Sequence, residues 1–220
     1  MAVNKEKYQQ INEELRLSNI TLVAVSKTKP VEDIFELYQL GQRDFGENYV
    51  QELLTKYEQL PKDIRWHFIG HLQSNKIKYI APFIHLIHGI DSLKLLKEAG
   101  KQAQKFSREI HVLLQVYIAQ EESKFGLDET ELNEVIKHSD ELTAITIDGL
   151  MGMASFTENQ EQVRREFTTL KQLFDRCKQL QRSNLKLQTL SMGMSGDYKI
   201  AMAAGSNMVR IGSLLFGTRQ

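Results

Sequence analysis

Short runs of β-branched and aliphatic residues alternate with amphipathic segments along this 220-residue chain, and that alternation restricts the fold more than any other feature. The runs at Thr21–Ser26, Arg65–Ile69, Ile110–Ile118, Leu142–Ile147 and Leu187–Leu190 read as buried parallel strands. Weaker runs fall near Asp44–Phe45, His85–His88 and Asn207–Ile211. Between them apolar residues recur three and four apart, as in Ile34, Leu37 and Tyr38, then Val50, Leu53, Leu54 and Tyr57, which is the stripe of a surface helix. Repeated strand–helix units imply a parallel sheet covered by helices. An open doubly wound sheet shares the alternation, but eight repeats in this length favour an α/β (β/α)8 TIM barrel over residues 1–220 as a single domain.

Local punctuation agrees with the periodicity. Pro30 suits the first turn of a helix. Asn75 is a candidate cap for a helix carrying Ile77 and Ile80, and Gly205 follows Ile200–Ala204 where a C-terminal glycine belongs. The longest helix, about Glu158–Gln181, places Val163, Phe167, Leu170, Phe174 and Cys177 on one inward stripe. The chain ends soon after its eighth strand, so the helix expected there is missing. An extra N-terminal helix carrying Tyr8, Ile11 and Leu15 is the candidate to fill that gap.

Composition narrows the functional classes. Lys+Arg and Asp+Glu both total 28, which argues against nucleic acid as a partner. No apolar run approaches the ~18 residues of a membrane helix, and Met1–Gln10 has no apolar signal core, so no membrane partner is expected. A single cysteine suits a reducing, cytoplasmic compartment.

In a barrel of this kind chemistry sits where the strands end. Lys27 ends the first strand, where partial desolvation turns a lysine into an amine nucleophile for a carbonyl. Lys29 is an equal candidate by position, and a surface loop lysine is the simpler alternative. Ser191-Met192-Gly193-Met194-Ser195-Gly196-Asp197-Tyr198 follows strand seven, and Arg210-Ile211-Gly212-Ser213 closes strand eight. Loops at these two places often bind phosphate through backbone N–H groups. Ser195, Gly212, Ser213 and Arg210 are the candidate donors, although Ser195 equally suits a helix cap. Strands one and eight are neighbours in a closed barrel, so an aldehyde-reactive lysine faces a phosphate cradle, the description of a pyridoxal phosphate site.

Asn48 suits either ligand contact or capping of the next helix. Asp148-Gly149 and Met151-Gly152-Met153 read as a tight mouth loop, and Glu121-Glu122-Ser123-Lys124 as a solvated one. His67 and His71 stand four apart on a strand and its turn rather than on a helix, so no metal is expected from them.

Five segments, Ala24–Pro30, Phe45–Glu52, Trp66–Lys76, Leu190–Ser195 and Arg210–Gly212, closely resemble the pyridoxal phosphate homeostasis protein family, in order over nearly the whole chain. The resemblance implies the alanine racemase N-terminal barrel fold, with Lys27 forming the internal aldimine. It further implies phosphate contacts from Ser195 and from the backbone at Gly212 and Ser213, and Arg210 near either the pyridine nitrogen or the phosphate; Asn48, Met151 and Ser191 are added as candidate cofactor contacts from their places at the strand ends. His71 is assigned no ligand role. The function so implied is a non-catalytic, monomeric carrier that buffers pyridoxal 5′-phosphate and supplies pyridoxal phosphate-dependent apoenzymes. The alternative is an enzyme such as an amino-acid racemase. The chain's end at Gln220 leaves no sequence for the second domain that completes racemase sites, and two-base racemisation needs an acid/base on each face of the substrate.

Overall fold

The computed structural model describes residues 3–120, 125–180 and 182–217. The strands are β1 (Thr21–Val25), β2 (Asp44–Glu47), β3 (Arg65–Phe68), β4 (Leu86–Ile90), β5 (Ile110–Gln115), β6 (Ile145–Met151), β7 (Leu185–Ser191) and β8 (Met208–Ile211). They pair in parallel and in chain order into a closed barrel, with β1 bonded to both β2 and β8. The fold is therefore the expected eight-stranded barrel, weak strand candidates included.

The helices are α1 (Lys5–Leu17), α2 (Val31–Gln39), α3 (Val50–Gln59), α4 (Ile77–Ile80), α5 (Leu93–Lys105), α6 (Glu129–Lys137), α7 (Gln160–Lys178), α8 (Tyr198–Ala203) and α9 (Ser213–Phe216). The stripe foreseen on α7 is buried from Val163 to Cys177. It packs on β6 and β7, within a continuous apolar shell that also holds Phe45, Trp66 and Phe68 on the far side of the barrel. Inside the barrel a separate apolar layer gathers Val23, Leu86, Leu113, Met151 and Met208.

The helix after β8 is reduced to the four residues of α9, and α1 covers the seam. Tyr8, Ile11 and Leu15 are its buried residues. The Asn4 N–H donates to the Leu215 carbonyl at 2.8 Å, and the Tyr198 hydroxyl to Glu14 Oε2 at 3.1 Å.

Several boundaries differ from the sequence reading: β5 ends at Gln115 rather than Ile118, β7 begins at Leu185 rather than Leu187, and α7 is shorter at both ends than Glu158–Gln181. The sixth strand begins at Ile145 rather than Leu142, because Leu142 closes a 3₁₀ turn and Ala144 holds a left-handed φ of 63°. It then continues through Asp148-Gly149 to Met151, so those residues are strand rather than mouth loop. Gly149 is required there, since a Cβ would fall 1.7 Å from the Thr189 carbonyl oxygen of β7. Asn75 caps nothing: it lies inside the 3₁₀ turn Ser74–Lys76 through which the chain enters α4. Gly205, at φ 97°, terminates α8 as expected.

Phe167 is fully buried between α7 and the sheet. Truncation by Phe167→Ala is expected to cost about 3–5 kcal/mol, read as a lowered urea midpoint with an unchanged m-value.

Candidate functional site

A cavity of about 520 Å³ opens at the C-terminal ends of the strands, and Lys27, Asn48, Ser195, Arg210, Gly212 and Ser213 all line it. Lys27 is held from both sides. The Ser26 hydroxyl donates to Glu47 Oε1 at 2.6 Å, and the Thr28 N–H donates to Glu52 Oε1 at 2.5 Å. Lys56 Nζ ties these anchors together, reaching Glu47 at 2.8 Å, Glu52 at 2.6 Å and the Ser26 carbonyl at 2.8 Å. Thr28 takes a left-handed φ of 64°, an unfavourable conformation for a β-branched residue that this clamp sustains. Burial pushes the Glu47 carboxyl above its ordinary range, against the pull of Lys56 and Ser26. Lys29 also reaches the cavity, but its Nζ donates to the Phe216 carbonyl at 2.8 Å. Position in the chain alone did not separate the two lysines.

Across the β1–β8 seam, Val23 pairs with Arg210 and Ala24 with Ile211, which brings Gly212 against Val25. The Gly212 N–H donates to Ser195 Oγ at 3.3 Å, so the loops after β7 and β8 meet. Gly193 permits the bend, at φ 97° with space for no Cβ beside Ala201. The N-cap of α8 is Asp197, not Ser195, and Asp197 Oδ1 accepts from the Met194 N–H at 2.6 Å. Ser195 is thereby left on the cavity wall. Asn48 is not a cap either: Tyr49 occupies that place, and Asn48 Oδ1 is buried without a hydrogen-bond partner.

Arg210 is 4% exposed and enters the cavity from β8. Its guanidinium donates to Ser191 Oγ at 2.6 Å and to the Gly152 carbonyl at 3.2 Å. Burial lowers its pKa to about 10, with Asp197 opposing, so it stays charged at neutral pH. Ser191 and Met151 do not line the cavity. Ser191 lies beneath it as the support of Arg210, and Met151 packs in the inner apolar layer while Met153 reaches the wall.

Below Ser191 a polar chain crosses the barrel interior. Ser191 Oγ lies 3.3 Å from His88 Nδ1, His88 Nε2 is 2.9 Å from His67 Nδ1, and His67 Nε2 is 3.0 Å from Asp44 Oδ1. Burial, then the neighbouring His67 and Arg210, hold the His88 pKa well below the usual imidazole value. Burial alone would raise Asp44, but hydrogen bonds from Arg65 and His67 keep it well below the carboxylate range. Sequence reading missed His88 and the Glu47–Glu52–Lys56 clamp. Their only local signals are a histidine within an apolar run and the i, i+4 spacing of Glu52 and Lys56. The histidines at 67 and 71 do not form a pair, since the first is inside the barrel and the second is exposed and bonded to Asp91. Residues 121–124 lie outside the described residues.

A clamped lysine and two glycine-bearing loops thus face one cavity across the seam of a closed parallel barrel. The family model described as alanine racemase, N-terminal domain, matches residues 4–220. A pyridoxal phosphate homeostasis protein of Aquifex aeolicus is 44% identical over 201 residues, covering 90% of this chain and 87% of that one. PipY of Synechococcus elongatus, solved without and with pyridoxal phosphate bound, superposes with TM-scores of 0.90 and 0.88 at 34% identity, over 96% of this chain and 99% of PipY. An alanine racemase of Bartonella henselae shares the fold at TM-score 0.72 and 18% identity, over 97% of this chain and 62% of its own. The chain belongs to the pyridoxal phosphate homeostasis protein family. Among the described residues no helix is long and apolar enough to cross a membrane.

The clamp yields a pH-dependent prediction. Because the Glu47 pKa is raised on folding, its contribution to stability is fully present below about pH 4.5 and declines as pH rises through the raised value. Lys56→Met leaves that carboxylate uncompensated and is expected to cost about 3–5 kcal/mol. Urea denaturation is expected to show a deficit larger at about pH 8 than at about pH 5.

Proposed function

We propose that this chain is a non-catalytic carrier that holds pyridoxal 5′-phosphate through Lys27 and buffers its supply to pyridoxal phosphate-dependent apoenzymes. The observation that carries the reading is the β1–β8 pairing, which sets the clamped Lys27 opposite the meeting point of Ser195 and Gly212. The residues present suit the cofactor on their own chemistry: a partly buried amine, an orphaned Asn48 oxygen, a serine hydroxyl and a buried guanidinium. When bound, pyridoxal phosphate supplies an aldehyde for the lysine and a ring that acts as an electron sink. The relative solved with that cofactor bound, PipY, supports the same reading.

Each residue has a part in retention. Lys27 is the point of covalent attachment. The Ser195 hydroxyl and the first-turn N–H groups of α9 at Ser213, which have no carbonyl partner within the helix, receive the phosphate together with the Gly212 backbone. Asn48 contributes a polar contact from β2's end. Arg210 stands deeper, within β8 and bonded to Ser191 inside the barrel, which supports a place beside the pyridine nitrogen rather than the phosphate. A guanidinium that keeps its proton leaves that nitrogen unprotonated and weakens the sink, which favours storage over carbanion chemistry. Ser191 acts through Arg210, and Met151 shapes the layer beneath. The reading extends to a single-domain monomer in the cytoplasm, consistent with one buried cysteine.

The test is the visible absorption of purified protein before and after borohydride, with peptide mapping of the reduced product. Label on Lys27, loss of the band in Lys27→Ala and no α-proton exchange with L-amino acids are expected. A protein that cannot be reconstituted with pyridoxal phosphate overturns the reading, and exchange at catalytic rates replaces it with an enzyme. Ser195→Ala is expected to weaken retention roughly ten- to hundredfold, since a hydrogen bond to a charged group contributes about 1.5–3 kcal/mol.

A further inference from the structure

The opposite end of the barrel carries a second cavity, also about 520 Å³, whose lining includes Asp44, Arg65, His67 and His85. These residues come from the starts of three adjacent strands. Gly46 of β2 pairs with His67 of β3, His67 pairs with Leu86 of β4, and the His85 N–H donates to the Trp66 carbonyl. Strand order therefore gathers side chains that lie far apart in sequence. One nitrogen or oxygen donor from each of Asp44, His67 and His85 lies within 4.8 Å of the others. We propose that this barrel floor is a binding site for a divalent transition-metal ion of the zinc class, with Asp44, His67 and His85 as its protein ligands.

The donor chemistry defines the class. Two imidazoles and one carboxylate suit zinc and its neighbours in the affinity series, whereas magnesium and calcium take oxygen ligands. Three donors placed about 2.1 Å from one tetrahedral ion stand roughly 3.4 Å apart. Asp44 Oδ1 and His67 Nε2 are already 3.0 Å apart, and the exposed His85 ring offers a nitrogen within 4.8 Å of both donors.

The surroundings also fit. His67 Nδ1 lies 2.9 Å from His88 Nε2, the outer-shell bond that orients a metal-binding imidazole. With Nε2 on the metal its proton is displaced and the remaining one sits on Nδ1, which donates to His88, so metal binding reverses the direction of the His67–His88 bond. The cavity opens to solvent and admits the ion.

One group competes. Arg65 Nε donates to Asp44 Oδ1 at 2.7 Å, with a second guanidinium bond to Oδ2, so a cation already occupies the carboxylate. The Arg65 side chain is 49% exposed and has water to move into, while Arg43, also on the cavity wall, is paired with Asp63 at 2.9 Å. The ion must displace the Arg65 pair, and removing Arg65 must strengthen the site. That sign distinguishes a metal site from a structural ion pair.

Equilibrium dialysis of the full chain against Zn²⁺, with bound metal counted by mass spectrometry, tests the proposal. It is run with and without added pyridoxal phosphate, so its outcome is independent of the mouth. One zinc per chain is expected, at least tenfold weaker in His85→Ala and tighter in Arg65→Gln. His71→Ala and His111→Ala are expected to bind as the wild type. His85 is exposed, and an unchanged denaturation midpoint of His85→Ala separates loss of a ligand from loss of fold. Absence of stoichiometric zinc in the wild type overturns the proposal, as does binding that survives His85→Ala or disappears with His71 or His111. Weaker binding in Arg65→Gln overturns it as well.

Discussion

Closure of the sheet between β1 and β8 is the constraint on which the rest depends. An open parallel sheet would leave two rows of unpaired backbone groups. Here Thr21–Ala24 pair with Met208–Ile211 and remove both edges. The same bonds fix one register, and that register sets the first loop of the chain against the last. Lys27 and Gly212 line one cavity because the barrel closes with Val23 opposite Arg210. Shortening the final helix to α9 leaves that seam bare on the outside, and α1 covers it with Tyr8, Ile11 and Leu15.

Closure also creates an interior that must be filled, and this barrel fills part of it with polar groups. Arg210, Ser191, His88, His67 and Asp44 would each be costly to bury alone. Linked, they satisfy one another. With one proton on each imidazole, Arg210 donates to Ser191, Ser191 to His88, His88 to His67, and His67 to Asp44, an assignment that follows from the network. The chain joins the cofactor mouth to the barrel floor, so the orientation of Arg210 depends on residues at the far end of the strands. The clamp around Lys27 obeys the same rule, because Lys56 compensates the buried Glu47 while holding the loop on either side of that lysine.

Much of this was legible in the sequence because short-range pattern and barrel geometry share a period. Clear apolar runs marked five strands and weaker ones the other three, and the α7 stripe marked the helix that covers β6 and β7. The strand boundaries that slipped did so where one residue overrides the pattern, as at Ala144 with its left-handed backbone and Gly149 with its contact to Thr189. Ser195, Gly212 and Ser213 were legible because they directly follow strands seven and eight. Met151 and Ser191 were placed one layer too high, since strand alternation shows that a residue faces inward but not at what depth. Lys29, equal to Lys27 by position, is engaged by the Phe216 carbonyl, 187 positions away, while the Glu47–Glu52–Lys56 clamp flanks Lys27.

By itself, then, the sequence determined the strand–helix alternation, the barrel that follows from it, and the glycine and serine loops that end the last two strands. Those are consequences of local conformational preference and of apolar period, which act within a few residues. Tertiary structure alone decided which lysine is clamped at the mouth, that Asn48 keeps an unpaired oxygen, and that Asp44, His67 and His85 share one floor. Those outcomes rest on strand register and on the desolvation of charged groups. Both depend on neighbours distant in sequence that are set beside one another only when the barrel closes.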